Sequence, residues 1–455
     1  MNDITIFLGI EDENLIVSDI SVNGNIKEIS VEKSCEPHFC PICGNKMHSR
    51  GIKVRTVRHP ILQDGYQLVI KLKQRRWRCI NSDCGYDVSD SFKFVERYRQ
   101  TTNATDIMIV SAFKRLNRSA AEIGHDFNVS DHTAIDIFDK YVNMKRLKLS
   151  SIISIDEVYL NMDSQCKYVL VIQDFFTGEP IDLVISRQTR VTEPYFRQIP
   201  YAERCAVKYL ISDMYNPYIC YSEKYFPNAV PVVDSFHVMQ WIISKLEAFL
   251  RKLLREFKER DYARAEEYAK SRGSSFVKPK LSDEVYLLQN HKWVLLKNVS
   301  NIDYSFPPTK NLHFGYTMDT YSIEDRFMKI HEDIYPLRNL KEEYVAFNLR
   351  NAGNPVNAAK ELDELIEMYQ QCGYEIFNEF AVVLKSYRQP IINSFILAER
   401  IVKGEIVESR LSNGPMESLN RKAKDLKRTG RGYTNFNHLR NRFLFATRKE
   451  TIIQG

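Results

Sequence analysis

No run of apolar residues in this sequence approaches the roughly 20 that a membrane helix needs; the longest, such as residues 168–172, are strand-sized. A protein spanning the membrane with helices is therefore not expected. Tandem repeats and low-complexity segments are also missing, which argues against a solenoid or a disordered tail. The opening Met1-Asn2-Asp3-Ile4-Thr5 has no basic stretch leading into an apolar one with a small-residue cleavage site, so a cytoplasmic location is the expectation. A large net charge is missing too: +6 over 455 residues says little about partners until its distribution is read.

What is present is the composition of a folded protein, 44% hydrophobic and 27% charged, in a chain long enough for roughly three domains. Residues 1–100 mix short alternating segments, such as Tyr66-Gln67-Leu68-Val69-Ile70-Lys71-Leu72, with turn residues and predict a small β-rich domain. In residues 101–150 Ile107, Val110, Phe113 and Leu116 recur at helical spacing and predict a compact helical module. Five strands are expected at residues 152–158, 168–172, 181–185, 207–211 and 230–233, with helical patterns between the third and fourth and between the fourth and fifth. Three strands in meander, then helix alternating with strand, describe an α/β sheet. Beyond Asp234 the strands are expected to stop, because Ile242, Leu246, Phe249, Leu250, Leu253 and Phe257 make one apolar helix face. Asp261, Glu266 and Glu267 add acid to this helical section, which runs to Gly414-Pro415.

Nine cysteines in a cytosolic chain argue against a disulfide framework, and five of them fall between Cys35 and Cys84. Cys40-Pro41-Ile42-Cys43 and Cys79-Ile80-Asn81-Ser82-Asp83-Cys84 supply two close thiolate pairs, the donor set of a structural zinc site with no open position. Gly44 and Gly85, one after each pair, permit the tight turns that aim four sulfurs at one ion. Cys35, His38 and His48 are alternative ligands. Such a site would hold the strand bearing Arg75, Arg76 and Arg78 against DNA.

Between Ser119 and Lys140 the pattern fits a helix, a short turn and a second helix capped by Ser130. Ile123, Val129, Ile135 and Phe138 are expected inside, and His132, Thr133, Asp136 and Lys140 outward toward a DNA groove; a plain helical connector is the other reading. Basic residues cluster beside Trp77, and again from Arg421 to Arg448 beside Tyr433 and Phe436, which suits phosphate contacts or, more simply, a solvated surface.

Two predicted strands deliver carboxylates into a sheet: Ile152-Ile153-Ser154-Ile155 runs into Asp156-Glu157, and Tyr209-Leu210-Ile211-Ser212 into Asp213. Each alone reads as a strand-end or capping acid. Together with a third, Glu417, near the positive end of the helix that Pro415 opens, they suit two divalent ions, because burying unpaired charge is otherwise costly. Arg421 and Lys424 continue that helix with a basic row. Two ions so held can drive in-line attack of water or a 3′-hydroxyl on phosphate.

With Ser154-Ile155-Asp156-Glu157, Ser212-Asp213-Met214-Tyr215 and Asn413-Gly414-Pro415-Met416-Glu417-Ser418-Leu419-Asn420, the sequence resembles the ISL3 family of bacterial insertion-sequence transposases along nearly its whole length. The resemblance implies a multidomain α/β protein. A zinc ribbon over residues 1–100 (zinc on Cys40, Cys43, Cys79 and Cys84) and a helix-turn-helix over 101–150 precede a ribonuclease-H-like catalytic domain over 151–240 and 405–455. A helical insertion over 241–404 interrupts that domain. Asp156, Asp213 and Glu417 would be the acidic triad, binding magnesium or manganese, and Asp234 and His237 would support it. The basic tail would contact DNA through Arg421, Lys424, Arg428 and Arg431. The implied partners are double-stranded DNA, both insertion-sequence ends and target, and further copies of the chain in a homodimer or larger assembly on the bacterial nucleoid. A transposase-derived regulator without catalysis, or a nuclease of the same fold, would share most of these features.

Overall fold

The computed structural model describes residues 5–6, 8–10, 12–36, 38–63, 66–162, 165–430 and 433–451. The chain divides into two compact units, Met1–Leu147 with Val158–Val169 and Asn420–Gly455, and Lys148–Glu157 with Leu170–Leu419.

The first unit opens on β1 (Leu15–Asn23), β2 (Ile26–Lys33), β3 (Met47–Gln63), β4 (Tyr66–Cys79) and β5 (Asp87–Ser89), ordered β1-β2-β4-β3 with β5 on β4. Only β2 and β4 run parallel. Val31, Val57, Ile70 and Leu72 turn to one side and form a core with Phe92 and Phe94. The β3–β4 hairpin is much longer than the short segments expected, pairing from Met47↔Cys79 to Gln63↔Tyr66. Arginines and lysines on its solvent side break up the hydrophobic pattern without penalising a strand whose other face is covered.

Three helices follow, α1 (Asn103–Ala112), α2 (Ala120–Asp126) and α3 (Asp131–Tyr141). Ser119 and Glu122 form a reciprocal cap on α2, and the Ser130 hydroxyl accepts the Thr133 N–H at 3.1 Å to start α3. The turn between them puts Asn128 at φ 52° and brings Val129 so close that a Cβ on Gly124 would lie 2.7 Å from its carbonyl oxygen. Gly124→Ala is therefore expected to destabilise this unit by about 1–3 kcal/mol, read as a lower thermal midpoint; an unchanged midpoint would mean that the turn relaxes freely.

Ile123 and Phe138 are buried as expected, but Val129 and Ile135 are only half-buried, and Ala134 and Ile137 take the inner positions. The inner residues Ala134, Ile137, Phe138 and Tyr141 form a stripe at i, i+3, i+4 and i+7, and through Phe138 this stripe reaches the helix Phe436–Thr447. Phe445 meets Phe138 edge-on at 5.5 Å, and Phe138 lies 4.8 Å from Phe113. Arg442, 1% exposed, sets its guanidinium 4.9 Å from the Phe113 ring and donates to the Arg115 and Arg118 carbonyls. Lys114 Nζ in turn donates to the carbonyls of Phe445 and Arg448, at 2.8 Å each.

The second unit is built on β6 (Ile152–Tyr159), β7 (Tyr168–Asp174), β8 (Pro180–Val184), β9 (Tyr209–Ser212) and β10 (Val230–Val233), in the order β10-β9-β6-β7-β8. β7 and β8 are antiparallel, while β6, β9 and β10 run parallel. Ile153, Ile155, Leu170, Ile172, Leu210 and Ile211 are fully buried, so the inner strands are covered on both faces and read as near-continuous apolar runs.

Helix α4 (Asn216–Tyr225) returns the chain from β9 to β10, and α5 (Ser235–Arg272) leaves β10 for 38 residues. Val238, Ile242, Leu246, Leu250 and Leu253 on α5 join one core with Phe327, Tyr344, Phe347, Tyr369 and Phe380. The expectation that strands end at Asp234 needs correction: β11 (Leu397–Val402) and β12 (Glu405–Arg410) form a hairpin, turned by Lys403 at φ 52° and Gly404 at φ 91°. Glu399, Arg400, Glu405 and Glu408 hide it from a hydrophobic-pattern reading. Helix α6 (Gly414–Thr429) follows. No described helix is long and apolar enough to cross a membrane.

Candidate functional site

Asp156 sits within β6, and Asp213 directly follows β9, whose parallel pairing sets Ser154 against Ile211. Parallel register delivers both carboxylates to the same end of the sheet. Asp156, Glu157 and Asp213 each place a carboxylate oxygen within 4.8 Å of the others, a group able to hold a divalent cation. Burial pushes the Asp156 carboxyl up to about 6, opposed by the Glu157 N–H and the neighbouring His237, and reinforced by the charges of Asp213 and Glu157. Three acids this close cannot all ionise comfortably without positive charge between them, and all offer the hard oxygen donors that magnesium and manganese take.

Glu157 has positive charge already. Arg187 pairs with one of its oxygens, and the Tyr218 hydroxyl of α4 donates to the other at 2.5 Å. Arg187 also lies over the Tyr215 ring at 5.2 Å, and the Tyr215 N–H donates to Asp213 at 3.0 Å.

Asp234 follows β10 and caps α5, accepting the Phe236 N–H at 3.2 Å. Its other oxygen accepts the Asn413 N–H at 3.1 Å, while the Asn413 side-chain amide donates to the Ile155 carbonyl at 3.3 Å. The Asn413 carbonyl then accepts the Met416 N–H at 2.8 Å, opening the first turn of α6. Burial raises the Asp234 carboxyl, against the lowering effect of the Phe236 N–H, His237, the Asn413 N–H and Arg410. Through Asn413, 2% exposed, one acid and one strand fix where α6 begins. Glu417 stands exposed in that first turn and is not one of the three clustered acids. Sequence reasoning gives Asn413 no role and misses Arg187 and Tyr218, whose contacts cross 30 and 61 residues.

In the first unit the sulfurs of Cys40, Cys43, Cys79 and Cys84 all lie within 4.8 Å of one another, with Cys40 to Cys84 at 3.6 Å and Cys43 to Cys79 at 3.3 Å. A zinc ion bound at about 2.3 Å to each would space its sulfurs by roughly 3.8 Å. The Asn45 backbone N–H holds the Cys43 thiol down to about 6, whereas burial pushes Cys79 up to about 12. One thiolate beside reluctant thiols is a donor set that a cation completes. Gly44 at φ 71° and Gly85 at φ 59° take the left-handed turns the sequence implies. Of the alternative ligands, Cys35 accepts from Arg75, and the His38 ring stacks on Trp77 at 4.9 Å.

The expected DNA contacts differ in their freedom. Arg76, His132, Arg421 and Lys424 are exposed, and Arg78 and Thr133 are half-buried. Arg75 pairs with Glu32 at 3.6 Å, Lys140 with Glu96 at 2.5 Å and Arg428 with Asp425 at 2.9 Å. Arg431 lies outside the described residues.

Residues 153–443, more than half of the chain, match the family model DDE ISL3, described as "Transposase". A search of curated proteins found no match.

Proposed function

The chain belongs to the ISL3 transposase family, and from that premise we propose that it binds the terminal inverted repeats of its insertion sequence and catalyses metal-dependent DNA strand cleavage and strand transfer. One observation carries the reading: Asp156 and Asp213 converge at one end of two parallel strands beside Glu157, with α6 started by a residue bonded to both Asp234 and β6. An antiparallel meander followed by parallel β9 and β10 supports a ribonuclease-H-like catalytic domain over residues 151–240 and 405–455, with 241–404 inserted. Capped α2 and α3, whose connecting turn packs on Gly124, support a helix-turn-helix within 101–150, to which the Phe436–Thr447 helix adds Phe445. The four sulfurs support a structural zinc in the ribbon of residues 1–100.

In this mechanism Asp156 and Asp213, with Glu417 from the first turn of α6, would hold the catalytic ions. Magnesium or manganese bound there would supply activation of a water or 3′-hydroxyl and charge neutralisation at the leaving oxygen. Arg187 and Tyr218 restrain Glu157 as a fixed carboxylate at the edge of the site. Asp234 positions α6 through Asn413, and His237 supports the site beside Asp156. Zinc-held β4 presents Arg76 and Arg78 to phosphates, and α3 presents His132 and Thr133 to a groove. Copies of the chain assemble as a homodimer or larger on paired DNA ends.

Incubating the protein with magnesium and DNA that carries the inverted repeats flanking its coding region tests the whole reading. Joined products are expected. DNA that is cut and never joined would make the protein a nuclease, and DNA bound intact would make it a regulator.

A further inference from the structure

Besides the basic stretch from Arg421 to Arg448, positive charge gathers in a second part of this chain. Residues 241–280 hold eleven Lys or Arg against six Asp or Glu, a surplus of five where the whole chain carries +6. Most of that segment is α5, on which Asp261, Glu266 and Glu267 are outnumbered by cations.

Helix α5 buries the stripe Val238, Ile242, Leu246, Leu250 and Leu253. At about 100° per residue, Arg251, Arg255 and Lys258 fall on the opposite side, within about 60° of His237. Arg251 and Arg255 are exposed and Lys258 is half-buried, and among the described residues none of the three forms an ion pair. Glu247, beside Arg251, is taken by Lys292 at 2.6 Å, and Glu259 is the one acid lining the shallow groove they share with Tyr262. Ser244 and Ala248, short and exposed, occupy the same face between His237 and the cations.

We propose that this face of α5 is a phosphate track that holds duplex DNA continuing past the acidic site. The proposal rests on the transposase reading and extends it to a DNA contact within the helical section. With about 1.5 Å of rise per residue, Arg251 lies roughly 21 Å and Lys258 roughly 32 Å beyond His237. At about 3.4 Å per base pair, that is roughly six to nine base pairs from the chemistry. Cations about 6 and 4.5 Å apart along the axis suit a polymer that carries a charge about every 1.7 Å.

The test uses the whole zinc-loaded chain carrying Asp156→Asn, so that DNA stays uncut, and a random-sequence duplex of about 30 base pairs. Binding is measured from about 50 to 200 mM salt, where each phosphate contact contributes about 0.9 to the slope of log affinity against log salt. Adding Arg251→Ala, Arg255→Ala and Lys258→Ala is expected to make that slope shallower by about 2.7, whereas Arg251→Lys with Arg255→Lys should keep it. An unchanged slope in the triple variant would overturn the proposal and leave the transposase reading standing. Equal loss in the lysine variant, which preserves charge, would trace the effect to helix packing and overturn it too. A triple variant whose mass in solution changes without DNA would mark the face as a contact between copies, and the phosphate track would again be overturned. Failure of the Asp156→Asn parent to bind any duplex would instead remove the reading on which the proposal rests.

Discussion

Asp156→Asn and Asp213→Asn proteins will hold insertion-sequence ends as the wild type does and cut and join them at least about 10³-fold more slowly. The size follows from losing several kcal/mol of transition-state charge stabilisation when an ion is misplaced, at about 1.4 kcal/mol per factor of ten. The substitutions keep volume and remove charge, so no cavity opens in the sheet. Glu417→Gln should show the same loss, and calcium should not replace magnesium, because its looser coordination does not enforce in-line geometry. Stability should move the other way. The Asp156 carboxyl, raised to about 6 by burial, stabilises the metal-free fold below the unfolded value near 3.8, and that contribution is lost as pH rises through about 6. At neutral pH the buried charge costs on the order of 3 kcal/mol. Metal-free Asp156→Asn should therefore melt higher than the wild type at about pH 8 and much nearer to it at about pH 4. Wild-type joining by any triad variant would transfer its role to a neighbour, Glu157 for Asp156 or Glu408 for Glu417.

Zinc removal should have the second-largest effect, this time through folding. The sulfur cluster is backed by a core of only Cys40, Met47, Trp77 and Cys79, too few apolar side chains to hold the end of the β3–β4 hairpin without an ion. Cys79→Ser with Cys84→Ser should lower zinc content from one ion per chain to none. Structural zinc sites contribute about 10–16 kcal/mol to folding, so the hairpin end should unfold and Trp77 lose its place against His38. Metal analysis together with the Trp77 emission checks this, with Trp241 and Trp293 substituted by Phe to isolate the signal. Zinc content that stays at one would move the ligands to Cys35 or His48. DNA binding should fall with the ribbon, while the acids of the second unit stay in place.

The central sheet was largely legible because burial on both faces writes its strands as apolar runs, and all five were found within a few residues of their observed ends. The sulfur cluster was legible from spacing and glycine alone. The β11–β12 hairpin was not, since its alternating charges carry no periodicity of burial, and only Lys403-Gly404 hinted at a turn. The seat of Glu417 was half legible: Pro415 announced the helix, but the bonds from Asn413 to Asp234 and to Ile155 span 179 and 258 residues. The contact of Phe138 with Phe445 could not be foreseen for the same reason, because this partner of α3 lies about three hundred residues downstream.

That partner also sets a timetable. Residues 436–447 supply Arg442 and Phe445 to the helices at 103–141, so the core those helices share stays incomplete until residue 445 has been translated. At about 5–20 residues per second, α3 waits on the order of 15–60 seconds for the side chains that cover Phe138. During that interval a nascent chain has its thiolate cluster and no finished helical module, and a product truncated before residue 436 never acquires one. Prematurely terminated copies would then be poor competitors for DNA, leaving the binding sites to full-length chains.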